Sequence, residues 1–286
     1  MTDVPNTLPD SPAKPTPWRL LPFSGAPMGR QLSLSEALLH ELPATQQPAV
    51  RWYVPAEPAL VLGSSQKATL ANLAACAERG IAVYRRTSGG AAVIVNAELL
   101  SLDVVLPSTS PLATSDVVQA YQWIGELWQD ALQRLGVAKA HAIPTEEVRA
   151  LPPLSKDDVL RLACYGTLSP WEVVIGKRKL VGLCQVRRKA GALYQTGIHL
   201  RFDPKALGQL LDLNNNRRKE LATRLHNAAA GLDTAAGHEI PREDVMRAVE
   251  QTLAGRFGAA LVPGDYTRVE LAAAGRIQAE RFASIG

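Results

Sequence analysis

The chain has 286 residues, of which 47% are hydrophobic and 20% charged, and its formal net charge is +4. That length supplies one large domain, or one domain and a small appendage, with ample apolar material for a buried core. Mild basicity without charge stripes and interleaved aromatics argues against extended nucleic-acid binding. Three cysteines (Cys76, Cys164, Cys184) make neither a disulfide framework nor a Cys-x-x-Cys zinc pair, and the five histidines show no metal-ligand spacing. No apolar run approaches the roughly 20 residues that cross a bilayer. The expectation is a cytoplasmic protein with no metal and no membrane or nucleic-acid partner.

Pro5, Pro9, Pro12, Pro15 and Pro17 mark residues 1–17 as a disordered tail. A short strand follows at Trp18 to Phe23, then a helix at Met28 to Glu41 with Leu32, Leu34, Ala37 and Leu38 at helical spacing. Ala49 to Val54 and Ala59 to Gly63 read as strands, and Ala71 to Glu78 as a helix stopped by Gly80. Ile81 to Tyr84 and Ala91 to Val95 read as two strands joined by a glycine turn, a hairpin. Leu99 to Leu106 is a further strand, and Ser115 is the expected N-cap of a long helix to about Leu135. The proline-punctuated stretch from His141 to Cys164 reads as a loop near a site or as a disordered insert. Strands at Trp171 to Ile175, Arg178 to Arg188 and Ala192 to Phe202 precede helical periodicity to the C-terminus. Meandering strands with helices before and after predict an α+β fold: mixed sheets flanked by helices over 18–203, and a helical region over 204–286.

Two stretches carry chemistry. In Arg85-Arg86-Thr87-Ser88-Gly89-Gly90 the glycines permit positive φ and admit a ligand close to the amides, and the arginines supply fixed charge for a carboxylate or phosphate. On those residues alone, a surface hairpin with solvated arginines fits equally well. In Lys179-Leu180-Val181-Gly182-Leu183-Cys184-Gln185, strand alternation puts Lys179 and Gln185 on one face and Gly182 and Cys184 on the other. Cys184 is then expected in the core. A mid-strand glycine marks close approach of a backbone or a ligand. The basic run Arg187-Arg188-Lys189 suits an acidic partner or a solvated tip equally.

These stretches, followed by Gln195-Thr196-Gly197 and preceded by Leu62-Gly63-Ser64-Ser65-Gln66, resemble the lipoate–biotin protein ligase and octanoyltransferase superfamily over roughly residues 18–203. The resemblance implies that Arg85, Arg86, Thr87, Ser88, Gly89, Gly90, Gly182, Gln185 and Gly197 bind substrate and that Lys179 is catalytic. Cys164, fifteen residues before Lys179 with Ser169-Pro170-Trp171-Glu172 between, is similar in layout to the nucleophile of the cysteine-dependent octanoyltransferases. The implied activity moves an octanoyl group from acyl carrier protein through Cys164 to a lysine of a lipoyl domain or glycine-cleavage H-type protein, with no cofactor required. An ATP- and Mg-dependent lipoate ligase, in which Cys164 is dispensable, is the alternative. The chain departs from the family pattern at Ala91, at Val95-Asn96 and at Thr196, where the family usually has histidine. These departures keep open a member that binds without catalysing.

Overall fold

The computed structural model describes residues 17–285. Apart from Pro17, the tail expected to be disordered lies outside them. The elements in chain order are β1 (Trp18–Leu20), β2 (Ser24–Ala26), α1 (Met28–Thr45), β3 (Ala49–Pro55), β4 (Ala59–Leu62), α2 (Leu73–Glu78), β5 (Ala82–Arg85), β6 (Val93–Val95) and β7 (Leu99–Pro107). Then follow α3 (Gln122–Arg134), β8 (Ala140–Ala142), α4 (Thr145–Ala150), β9 (Val173–Ile175), β10 (Arg178–Arg188) and β11 (Gly191–His199). The C-terminal part holds α5 (Ala206–Leu210), α6 (Asn215–Ala228), α7 (Leu232–Ala236), α8 (Arg242–Phe257), β12 (Leu261–Pro263) and α9 (Arg268–Arg281).

The large sheet runs β12-β1-β3-β7-β11-β10-β9-β8, with β2 beside β3, and a small sheet runs β5-β4-β6. Period-two alternation sorts the large sheet into two faces. Val50, Trp52 and Val54 of β3 and Leu100, Leu102, Val104 and Leu106 of β7 enter one core with Trp123, Ile124, Leu127 and Trp128 of α3 and Val245, Val249 and Leu253 of α8. On the other face, Val105 and Leu193 meet Leu38, Leu39 and Leu42 of α1. α9 closes the outer side of α1, where Ala273 and Ala274 pack on Leu34 and Ala37. The α+β class read from the strand pattern is the class observed. Residues 204–285 share this core through α7 and α8, and β12 pairs in parallel with β1 at the sheet edge.

Several local expectations need correction. β5 and β6 do not pair with each other. β4 lies between them, parallel to β5 and antiparallel to β6, so the arginine–glycine segment is a crossover rather than a hairpin. The reason is the preceding apolar run Ala59–Leu62, every residue of which is buried and takes the central place. Ser115 is not the cap of α3. Asp116 Oδ1 accepts from the amides of Val118 (2.8 Å) and Gln119 (2.9 Å), and a 3-10 turn at Gln119–Tyr121 leads into the helix. The stretch from 141 to 164 contains β8, α4 and two short 3-10 turns. Strict alternation along β10 also fails. Its pairing with β9 shifts register between Lys179 and Val181, and the neighbours Leu180 and Val181 both enter the main core. Beyond that shift Cys184 shares the cavity side with Lys179 rather than lying in the core.

Candidate active site

The α1-facing side of the large sheet supplies the floor of the site. In one cross-strand row Gly182 pairs with Gly197 and Gly197 with Ser101; in the next, Cys184 pairs with Gln195, Gln195 with Asp103, and Asp103 with Arg51. The first row continues from Ser101 to Tyr53, and it is hollow at its Gly182–Gly197 end because those two members lack side chains. Tyr165 fills part of that hollow, its ring over Gly182 and its hydroxyl donating to the Gly197 carbonyl at 2.6 Å.

The second row is polar and buried. Arg51 and Asp103, both fully buried, pair at 3.1 Å, and Ser35 Oγ of α1 donates to the same carboxylate at 2.6 Å. Gln195 Nε2 donates to its other oxygen at 3.4 Å. The Arg51 guanidinium lies 4.2 Å from the centre of the Tyr53 ring. Burial raises the Asp103 carboxyl above the usual carboxylate range, opposed by Arg51 and the Ser35 hydroxyl.

The roof is the crossover from β5 to β6. Gly90, at φ +100°, turns the chain there, and its carbonyl lies so close to Gly63 that no Cβ fits at position 63. Arg86 folds back beneath the turn and donates to the carbonyls of Gly89 (3.1 and 3.0 Å) and Ala91 (3.0 Å). Just beyond, Ala92 joins the roof to the cysteine segment: its amide donates to Leu162 O at 3.0 Å and its carbonyl accepts from the Cys164 amide at 2.8 Å. Cys164 opens a short 3-10 turn, half-buried, with its sulfur 3.9 Å from Arg86 Nη2.

Lys179 is buried, and its ammonium is committed on two sides. It donates to the Cys164 carbonyl oxygen at 2.8 Å and to Glu172 Oε2 at 2.6 Å. Glu172 also accepts from the amides of Ser169 (2.8 Å) and Leu183 (3.3 Å). Burial raises the Glu172 carboxyl and the Lys179 ammonium opposes that rise. Cys184 points its thiol at Ser88 Oγ (3.5 Å) and Gln195 Oε1 (3.8 Å), and burial pushes that thiol up.

These parts enclose a cavity of about 140 Å³. Part of its wall, from Met28, Leu32, Tyr53, Val61, Val95 and Leu99, belongs to one apolar cluster, against which Cys164 packs. Arg86, Glu172 and Lys179 are the charged residues of its lining among the described residues. Of the residues marked in the sequence, Cys164, Lys179, Arg86, Gly89, Gly90, Gly182 and Gly197 meet at this cavity. The others lie elsewhere. Arg85 ends β5 opposite Leu62, and Thr87 bonds Glu36 of α1. Ser88 touches the cavity only through Cys184, and Gln185 donates to Val117 O at 2.7 Å. Arg187 bonds Thr114 O and Gln185, leaving Arg188 and Lys189 as the exposed cations of the β10–β11 tip.

The small three-stranded sheet thus lies over the mixed sheet, with the part-apolar cavity between them. The described residues superpose on a lipoate protein ligase of Thermoplasma acidophilum with a TM-score of 0.75 at 18% identity, covering 93% of this chain and 94% of that one. They superpose on a lipoate-protein ligase A bound with ATP with a TM-score of 0.73, also at 18% identity, over 93% and 96% of the two chains. Residues 27–254 match the lipoyl protein ligase A/B catalytic domain, and the chain belongs to that family. Among curated relatives, the octanoyltransferase LipM of Kyrpidia tusciae is 30% identical over 275 residues, 93% of this chain and 96% of the relative. The octanoyltransferase LipM of an Exiguobacterium species is 26% identical over 260 residues, 90% and 92% of the two chains.

Sequence reasoning passed over Tyr165, Glu172, Gln195 and the Arg51–Asp103 pair as site components. A signal existed for the last two. Each is a lone charge inside an otherwise apolar run, Val50-Arg51-Trp52 and Leu102-Asp103-Val104, and such residues are rarely buried unless paired. Thr196, which stands where the family usually has histidine, accepts from Trp128 Nε1 at 2.9 Å.

Proposed function

We propose that the protein is an octanoyltransferase in which Cys164 carries the acyl group as a thioester. The observation that carries this reading is the half-buried Cys164 sulfur at the cavity wall, against the apolar cluster and 3.9 Å from a guanidinium. The curated relatives' activity supports it. The Cys164 thiolate attacks the carbonyl carbon of the donor thioester. A carbon–sulfur bond forms, negative charge develops on the carbonyl oxygen, and the donor thiolate departs and takes a proton from solvent. An acceptor lysine amine then attacks the Cys164 thioester, the amide forms with loss of the amine proton, and the Cys164 thiolate is regenerated.

An ammonium has three N–H donors, and two of those on Lys179 are committed to Cys164 O and Glu172. The third is free for the developing oxyanion, where such a donor contributes most. The apolar wall takes the alkyl chain, at about 0.8 kcal/mol per buried methylene. The donor is acyl carrier protein and the acceptor a lipoyl-domain or H-type lysine, the step needs no nucleotide, and the protein acts in the cytoplasm.

The test is intact mass after incubation with octanoyl-acyl carrier protein. An octanoyl adduct that maps to Cys164 is expected, and Cys164→Ser should lose both adduct and transfer by several orders of magnitude, because a serine hydroxyl is a far poorer nucleophile at neutral pH. Full transfer by Cys164→Ser with ATP and free lipoate would replace this reading with the ligase one.

A further inference from the structure

The basic run Arg187-Arg188-Lys189 at the β10–β11 tip takes no part in the cavity lining. Arg187 turns sideways onto Thr114 O, while Arg188 and Lys189 stay exposed. The segment that Arg187 grips, residues 112–118, is strapped to the same two strands by further bonds. Gln185 Nε2 donates to Val117 O at 2.7 Å, and the Tyr194 hydroxyl donates to Leu112 O at 3.1 Å. The end of this segment carries two adjacent valines on the surface, Val117 at 52% exposure and Val118 at 43%. Asp116, the acid of the segment, turns Oδ1 onto the amides of Val118 and Gln119. Three cations against one carboxylate leave the patch net positive.

This patch flanks the way into the cavity. Gly89, Gly90 and Ser169 are the exposed members of the cavity lining, and they put its mouth at the rim of the roof. Beside them Ser88 meets the Cys184 thiol of β10 at 3.5 Å, and the next residue along β10 is Gln185, which holds Val117. Arg188 lies four residues beyond Cys184 on the same strand, about 13 Å at 3.3 Å per residue.

We propose that Val117, Val118, Arg188 and Lys189 form the docking surface for the acidic carrier protein that delivers the acyl thioester. The proposal rests on the octanoyltransferase reading and names the place where its donor is held. Two apolar side chains beside cations offer a partner of opposite charge both a contact and long-range attraction. The straps fix the valines before the partner arrives, so little ordering is lost on binding. The distance from tip to cavity selects the donor over the acceptor. A thioester on a long flexible arm spans it with the carrier seated on the patch, whereas an acceptor lysine, on a four-carbon stem, needs its own domain at the mouth.

The experiment compares the full chain with two double variants, Arg188→Glu with Lys189→Glu and Val117→Ser with Val118→Ser. All four sites are exposed, so the thermal midpoints should match the wild type. Binding of acyl carrier protein without its acyl group is measured by calorimetry. KM is measured for octanoyl-acyl carrier protein, for octanoyl-N-acetylcysteamine and for the acceptor domain. The charge reversal should weaken carrier binding and raise the carrier KM about tenfold or more at low salt, an effect that fades as added salt screens it. The serine pair should weaken both about fivefold at any salt. Neither variant should change the KM of octanoyl-N-acetylcysteamine or of the acceptor domain. Equal losses with the small thioester, unchanged carrier binding in either variant, or a rise confined to the acceptor KM overturns the proposal. The binding measurement involves no acyl transfer. Weakened binding in both variants therefore supports the surface even where no adduct forms on Cys164, and unchanged binding with normal transfer removes the surface while the transferase reading stands.

Discussion

His199 illustrates how a single buried side chain ties the stability of this fold to pH. It lies between the rings of Tyr165 and Phe202, 4.6 and 5.0 Å from them, and burial lowers its ionisation to about 3. An unfolded histidine titrates near 6.5, so between these values the unfolded chain binds a proton that the folded one refuses. The stability associated with His199 is full above about pH 6.5 and is lost as the pH falls toward 3, at about 1.4 kcal/mol per pH unit. His199→Leu should therefore flatten the decline of urea-unfolding free energy between pH 6 and pH 4 by about that slope. Equal slopes in variant and wild type would show that the ring is protonated in the fold.

The strands β3, β7, β11 and β10 act as a unit because one row of side chains crosses all four. Arg51→Met would leave Asp103 buried without its cation. Breaking one side of a buried pair costs about 3–5 kcal/mol, so the denaturation midpoint should fall accordingly while the denaturant slope stays constant. A loss under 1 kcal/mol would mean that Ser35 and Gln195 suffice to hold the carboxylate. Much of this sheet was legible in the sequence. β3, β7, β10 and β11 each fall within a residue or a few of their expected bounds, since long apolar or alternating runs betray themselves. The order of β5, β4 and β6 was not legible, because pairing partners are chosen by tertiary packing and not by the local turn. The cavity-facing side of β10 was misread for a related reason. Period-two counting assumes an unbroken ladder, and the shift between Lys179 and Val181 leaves no mark in residue type. Glu172 escaped weight because a lone carboxylate after Ser169-Pro170-Trp171 looks like any turn residue until Lys179 is placed 2.6 Å from it.

Across the whole molecule, the C-terminal region set apart at 204 in the sequence reading is joined to the first strands. Glu270, fully buried, takes both Nη atoms of Arg19 at 3.0 and 2.6 Å, and α9 begins with a capping box formed by Thr267 and Glu270. Removing residues 259–286 would strip β12 from β1 and expose the α1 face that carries Leu34 and Ala37. We expect the truncated chain to melt well below the full one, or to aggregate, in a thermal scan; an unchanged midpoint would establish an independent C-terminal unit. The crossover from β5 to β6 has a mechanical meaning as well. A hairpin tip can swing like a flap about one hinge, its two legs moving together. Here the legs stand on opposite sides of β4, and the far leg is stitched through Ala92 to the segment that bears Cys164. The roof cannot lift without tearing main-chain bonds on both flanks, so Arg86 and the sulfur ride on one rigid frame. The separation of the Arg86 guanidinium from the Cys164 sulfur is therefore set by main chain anchored on both flanks of β4.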